Sequence, residues 1–533
     1  NDFNINKKLS ASLDVSIRHA KSRNQIYDPF STMRLMPAIY PAMWSDGRIA
    51  SGKSGSNPYG LLKNGGSTVS HSTQLSGKGS LTYKPLTGLS LSAIISPFIN
   101  YQKSKQFKLA CWYTLPDDPD VIGGYLDAGS LYATNKLTEG RNDNWHVTSQ
   151  LLANYMRTFG KHDITVMAGF ENYYMKSENL SAARDQYELT NYPFLNIGSE
   201  DFQTNSGTGA EYTSNSFFGR LLYSYANRYL FQANVRRDGS SRFAKNYRWG
   251  TFPSFSAGWV MSEEPFMQKA NLPWLSYLKL RASWGKLGNE RIGSNYFPYI
   301  ALMNFGSTLF YMADGSVVSG STARPAVLAV EDITWETTTS TDLGFDANFL
   351  NNRLHINFDY YWKKTTDMLL AIQIPYTMGY NSPNTNAGKM STHGYDIDVS
   401  WQDHIGDFKY SVGLNFSDYL SKIDYLNNSD IISGGKVKRA GVLFNEFYGY
   451  VCDGIYQTQD EVQNSARTSS SVTVGDLKYR DISGPDGVPD GKISPEYDRV
   501  PLGNSLPRYQ YGGNLSASWK GIDLNIAFQG IGK

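Results

Sequence analysis

From Leu343 to Leu370 the chain reads LGFDANFLNNRLHINFDYYWKKTTDMLL, and in two runs of it every second position is apolar. Leu343, Phe345, Ala347 and Phe349 are followed, after a polar turn, by Leu354, Ile356, Phe358, Tyr360 and Trp362. Asp346, Asn348, His355, Asn357 and Asp359 fill the gaps. Period-two alternation predicts strands with one greasy and one wet face. It recurs over 9–17, 164–170, 278–284, 395–401 and 408–416. From Leu9 onward the pattern predicts fifteen strands of about ten residues, longer than the roughly five or six of ordinary globular strands.

The connections alternate too. Short ones, YANRY (225–229), FLNNRL (349–354), QDHIGDF (402–408), RTFGKHD (157–163) and WKGI (519–522), separate long ones near 18–73, 102–144, 175–213, 286–338, 364–391 and 421–508. Turns on one rim and large loops on the other are the habit of an outer-membrane barrel, with short periplasmic turns and longer external loops. Tyr223, Tyr225, Tyr360, Trp362, Trp401 and Trp519 fall near strand ends, where amphipathic rings sit at lipid headgroups. The predicted fold is therefore an all-β, transmembrane antiparallel barrel, whose closure leaves no backbone edge in hydrocarbon. Counted from Leu9, fifteen strands end on the opposite rim near Gly530, whereas single-chain bacterial barrels have even counts. Residues 1–533 are accordingly expected to be an internal portion of a longer barrel protein, without its N-terminal plug and last strands.

Composition adds support. The 37 Tyr, 26 Phe, 11 Trp and 49 Gly suit strands and turns. Charged residues make up 18% and nearly balance at +2, which argues against a nucleic-acid partner. No apolar run is long enough for a transmembrane helix. Cys111 and Cys452 are too few for a disulfide framework or zinc ribbon.

Four motifs invite chemistry. GRIASGKS (47–54) has the letters of a phosphate-binding loop, but Pro58 and two glycines stand where its helix should run. DISGPDGVPDG (481–491) brings Asp481, Ser483, Asp486 and Asp490 into one loop, a donor set whose cation would be calcium; Pro485 breaks the regular spacing, and a polar turn is the competing reading. In RRDGSSRF (236–243), Asp238-Gly239 reads as a turn. TQDE (458–461) resembles a capping box opening a short helix. The seven histidines are scattered and no HExxH occurs, so no catalytic residues are assigned and enzyme activity is not expected.

Several segments in order resemble the SusC-like branch of TonB-dependent outer-membrane transporters. They include RRDGSSRFAKNYRWGTFPSFSAGWVMSEEPFM (236–267), LKLRASWGKLGNERIGSNYFPY (278–299), residues 333–370, FYGYVCDGIYQTQDEV (447–462), GDLKYRDISGPDGVPDGKI (475–493) and residues 498–530. The resemblance implies a barrel of about twenty-two strands in the outer membrane of a Gram-negative bacterium. It also implies a plug, a SusD-like surface lipoprotein acting as a lid, energy from the TonB complex, and import of oligosaccharides or oligopeptides. Trp112, Tyr113, Tyr296, Tyr311 and Trp335, all on predicted external connections, are the candidate ligand contacts. The alternative function is a passive porin.

Overall fold

The computed structural model describes residues 1–126, 133–292, 296–301, 303–325, 328–372, 374–427 and 430–533. Sixteen strands hydrogen-bond in chain order into one antiparallel sheet. They are β1 (Asp2–Asn6), β2 (Leu9–Gln25), β3 (Gly66–Leu86), β4 (Leu89–Lys108), β5 (Lys136–Phe159), β6 (His162–Arg184), β7 (Gln203–Tyr225) and β8 (Tyr229–Ser240). β9 (Trp249–Val260), β10 (Leu275–Asn289), β11 (Glu336–Phe349), β12 (Leu354–Ala371), β13 (Asn384–Ile405), β14 (Phe408–Leu426), β15 (Tyr509–Trp519) and β16 (Ile522–Gly532) complete it. The fifteen strands predicted from Leu9 are β2–β16; the pattern missed β1, whose five residues are too few to register as alternation.

Strand lengths depart from the expected ten or so residues. β5 runs for 24 residues, β6 and β7 for 23 and β13 for 22. Ladder bonds are made by backbone and continue where apolar alternation has stopped, so side-chain pattern marks only the greasy band of each strand. The long connections shrink accordingly to 26–65, 109–135, 185–202, 290–335, 372–383 and 427–508.

Contacts divide the chain into two units, Asn1–Ala153 with Gly169–Asn215, and Asn154–Ala168 with Ser216–Lys533. In the first, β2 pairs with β3 from Leu9↔Tyr83 to Gln25↔Ser67, and β3 continues onto β4 through Leu75↔Ile99 and Leu81↔Ala93. The apolar face so formed is bare: Leu13, Val15, Ile17, Leu75, Leu81 and Ile95 are exposed.

In the second unit one register line runs Leu280↔Phe345↔Phe358↔Ile397↔Phe416↔Tyr511 across six strands. Its neighbours Leu343 and Leu414 are exposed to 48% and 50%. The adjacent line, on the other face, is polar: Arg281↔Gly344↔Asp359↔Asp396↔Ser417↔Gln510. A water-soluble sheet would cover so continuous an apolar face; lipid covers it in a membrane barrel.

The short turns close as predicted. Ala226 and Asn227 both take positive φ, as a two-residue hairpin turn matched to strand twist requires. Gly406 and Gly521 do the same service elsewhere.

Two expectations fail locally. Asp238-Gly239 is not a turn but the end of β8, with Asp238 opposite Gly250 and Gly239 opposite Trp249. Gly239 is there because the Trp249 indole lies across it, within 2.9 Å of where a Cβ would stand. A helix, Pro58–Asn64, does follow GRIASGKS, but it starts four residues late and is capped by Asn57, whose Oδ1 accepts from Gly60 N. The glycine-rich stretch turns back on itself instead, Lys53 bridging to Ser56.

Candidate functional site

Two of the loop clusters carry small cores. In the first unit Leu61, Cys111 and Leu126 are buried, with Ile26, Tyr27, Ile49 and Tyr113 packed against them. Tyr113 is thus a packing residue. Trp112, next to it on the ribbon Trp112–Thr114 paired with Ile122–Tyr125, points the other way and is 49% exposed. Alternation along the ribbon explains the difference. Burial pushes the Cys111 thiol up to about 11, so it is an inert packing group, and Cys452 is likewise a free thiol. At the same end Arg48 grips Asp46 (Nε to Oδ2, 2.6 Å) and the Thr114 hydroxyl (2.7 Å). The Arg48 amide and guanidinium hold the Asp46 carboxyl below its ordinary range.

In the second unit Phe243, Ile292 and Ile333 are buried together, flanked by Val330, Trp335 and Leu369. Trp335 is fully engaged there: its ring lies 5.4 Å from Phe243 and 5.3 Å from Phe252, and Nε1 donates to the Arg248 carbonyl at 3.0 Å. Tyr296 sits under the Arg242 guanidinium, 4.5 Å from the ring centroid. Tyr311 lies on a separate hairpin, Met303–Tyr311 paired with Val317–Pro325, and is 83% exposed. Phe305 and Leu309 share its face. Of the five aromatic candidates, Trp112 and Tyr311 present open rings; Tyr113 and Trp335 are structural.

The polar face of β10–β12 contains a network that sequence reading passed over. Arg281 Nη2 meets Asp346 at 3.1 Å, Asp359 at 3.0 Å and Asn357 at 2.9 Å. Gly344 lies between, and any side chain there would collide with the Asp359 carboxylate. One guanidinium therefore ties three strands, on a wall where Asp342, Asp396 and Asp398 add further carboxylates to the paired Asp346 and Asp359. Arg281, Lys279, Asp342, Asp163, Gln232 and Ser256 help line a cleft of about 420 Å³ on this unit. Its signal was in the sequence: Arg281 stands at a wet position between Leu280 and Ala282.

Residues 430–508 include two small sheets, with Ile431–Ser433, Lys436–Lys438, Glu446–Tyr450 and Arg499–Asn504 in one. Its helix Gln459–Asn464 is capped by Thr458, which accepts from Glu461 N, as the TQDE pattern predicts. In the 481–491 loop, Asp481 Oδ2 accepts from Gly491 N at 2.6 Å and Asp490 Oδ1 from Lys492 N at 2.9 Å, while Asp486 is exposed. The organising carboxylate is Asp498, which sequence reading did not single out. It is completely buried and accepts from Ile482 N, Ser483 N and Ser494 N. Burial pushes its pKa up, but these backbone donors outweigh it and hold the group below the usual carboxylate range. Among the described residues no three His, Cys, Asp or Glu form a group that could hold a metal.

Comparison with known proteins matches this geometry. The profile of the family described as "TonB dependent receptor-like, beta-barrel" covers residues 44–528. TonB-dependent receptor P3 of Formosa agariphila is 30% identical over 401 residues, 72% of this chain and 38% of that protein. TonB-dependent receptor SusC of Bacteroides thetaiotaomicron is 31% identical over 357 residues, 62% of this chain and 34% of that protein. The RagAB peptide transporter structure superposes with a TM-score of 0.77 at 22% identity, over 99% of this chain and 56% of that one. The chain thus spans under half the length of these curated relatives. Alternating faces, an uncovered apolar surface and the family match together place it: the chain belongs to the TonB-dependent receptor β-barrel family of the Gram-negative outer membrane.

Proposed function

We propose that the protein built on this barrel imports oligosaccharides or oligopeptides across the outer membrane by TonB-dependent active transport, with a SusD-like surface lipoprotein as its lid. The observation that carries the reading is the family match over 44–528 on a sheet with one polar face and with loops that carry open aromatic rings. Trp112 and Tyr311 offer open aromatic faces on which sugar rings can lie, which favours saccharides. Pulling on a plug would shift the protein between two states of different ligand affinity.

The test is uptake of fluorescent oligosaccharides and oligopeptides by cells that do or do not carry the gene, each with and without TonB. The reading expects uptake that needs both the gene and TonB. Gene-dependent uptake that persists without TonB would establish the passive porin instead.

A further inference from the structure

We infer that β2–β4 carry, just beyond their apolar band, a binding site for the phosphorylated headgroup of an outer-leaflet lipid, centred on Lys21, His71 and Lys103. The inference rests on the family reading only for the orientation of the barrel in its membrane. Along the apolar face of these strands the register lines run Ile17↔Leu75↔Ile99, then His19↔Thr73↔Tyr101, then Lys21↔His71↔Lys103, then Arg23↔Val69↔Lys105. Same-face positions thus change from aliphatic to aromatic to cationic in three consecutive steps. Strands about 4.8 Å apart make the three groups of the third line immediate neighbours.

Lys21, Lys103 and Tyr101 are exposed, and His71 is half-buried among them, its ring 5.8 Å from that of His19. Arg23 donates from Nε to the Ser67 hydroxyl at 3.1 Å, and Lys105 is committed to Glu139 at 2.9 Å. Lys21 and Lys103 stand one on each side of His71, two strands apart, with no carboxylate between them. β2–β4 contain one carboxylate, Asp14, and it belongs to the opposite face.

Position selects the anion. These ends of β2, β3 and β4 lead into the long connections 26–65 and 109–135, while the opposite ends meet at the short turns Lys7-Lys8 and Thr87-Gly88. Long connections mark the external rim. A ligand here must offer acyl chains to Ile17, Leu75 and Ile99 and negative charge one step above Tyr101. A phosphorylated glycolipid of the outer leaflet does both, and basic clusters at a membrane interface attract such headgroups.

A second cationic line, Lys286↔Thr339↔Lys364↔Ser391↔Lys422, follows the aromatic line of Trp284 and Trp362 in the other unit. There Ser391 donates to the Asp424 carboxylate at 2.9 Å, so that line brings its own anion and is the weaker site.

The experiment uses the full-length protein in detergent and native mass spectrometry. Bis-phosphorylated lipid A, its dephosphorylated form and phosphatidylcholine are offered in turn, with inorganic phosphate as competitor. Lys21→Gln with Lys103→Gln should lower the fraction bound to bis-phosphorylated lipid A at least about tenfold. Lys8→Gln with Lys84→Gln, at the opposite rim, should leave it unchanged. Gel heat-modifiability reports folding of each variant. Should the Lys21/Lys103 pair not fold, the wild-type protein still tests the inference: raising salt should release the phosphorylated lipid and not phosphatidylcholine.

Equal retention of phosphorylated and dephosphorylated lipid, or insensitivity to the Lys21/Lys103 change, overturns the inference. Displacement of the lipid by equimolar inorganic phosphate makes this a free-anion site and overturns it too. Failure to retain any lipid would instead sink the membrane-barrel reading itself.

Discussion

Gly344 concentrates the packing of the polar wall into one position. Its missing Cβ gives the Asp359 carboxylate room to lie over β11 and reach Arg281, which in turn reaches Asp346. Gly344→Ala would push against the Asp359 side chain and the Phe358 carbonyl, which is ladder backbone and cannot yield. A loss of about 1–3 kcal/mol is expected from such overpacking, measured as a lower temperature for conversion to the heat-denatured gel band. Asp498 plays the corresponding part in the 427–508 segment. Its folded pKa lies below its unfolded value, so it stabilises the loop above about pH 4 and that contribution is lost as pH falls through the folded value. Hydrogen exchange of residues 482–494, corrected for intrinsic rate, should accelerate at acid pH in the wild type. Asp498→Ala should show the fast rate at neutral pH as well, its amide donors having lost an acceptor worth about 1–3 kcal/mol.

Among the elements, the β11–β12 hairpin shows where local preference and topology conflict. Leu350, Asn351 and Asn352 all take positive φ, at 53°, 59° and 63°. Asparagine tolerates this region; leucine pays about 1–2 kcal/mol for it. Leu350 is 44% exposed, so little packing offsets the strain. Leu350→Gly is therefore expected to leave the fold intact and raise stability, by less than about 1 kcal/mol once the extra freedom of the unfolded glycine is counted. Urea titration in detergent checks this; a clear destabilisation would mean that the Leu350 side chain packs against something at the rim. The Met303–Tyr311 hairpin is the opposite case, two regular nine-residue strands with exposed aromatic rings along one face. Its regular pairing holds backbone, not a core, which suits an element that meets something outside the sheet.

For the molecule as a whole, the decisive property is which medium each face meets. Phe358 and Asn357 are neighbours on β12 but belong to opposite faces, Phe358 aligned with Phe345 and Ile397, Asn357 with Asp346 and Asp398. Phe358→Lys should cost about 2–4 kcal/mol, the depth-dependent penalty for a lysine near the middle of the lipid-facing band. Asn357→Lys should cost less than that: it gives up an acceptor of Arg281, but it stands between Asp346 and Asp398 on a wet face. Folding yields of the two variants in lipid vesicles give the comparison. Equal yields, or the reverse order, would contradict the assignment of faces for the whole sheet.

Alternation by itself determined the strands from β2 onward, their order of hairpins, the two faces and the sorting of turns from long loops, because period two is a local property that any register must respect. The Thr458 cap was legible for the same reason, since donor and acceptor lie three residues apart. Only the tertiary structure decided how far strands run past their apolar bands, since backbone pairing is indifferent to side-chain pattern. It likewise decided which loop aromatics are open: Trp335 and Tyr311 look alike in sequence, and contacts with Phe243 and Phe252 separate them. Asp498 was hidden because two of its three donors lie 15 and 16 residues before it, and the Lys21, His71, Lys103 line because register joins residues 50 and 32 positions apart. Charge can be counted along a chain, but its neighbours are set by register.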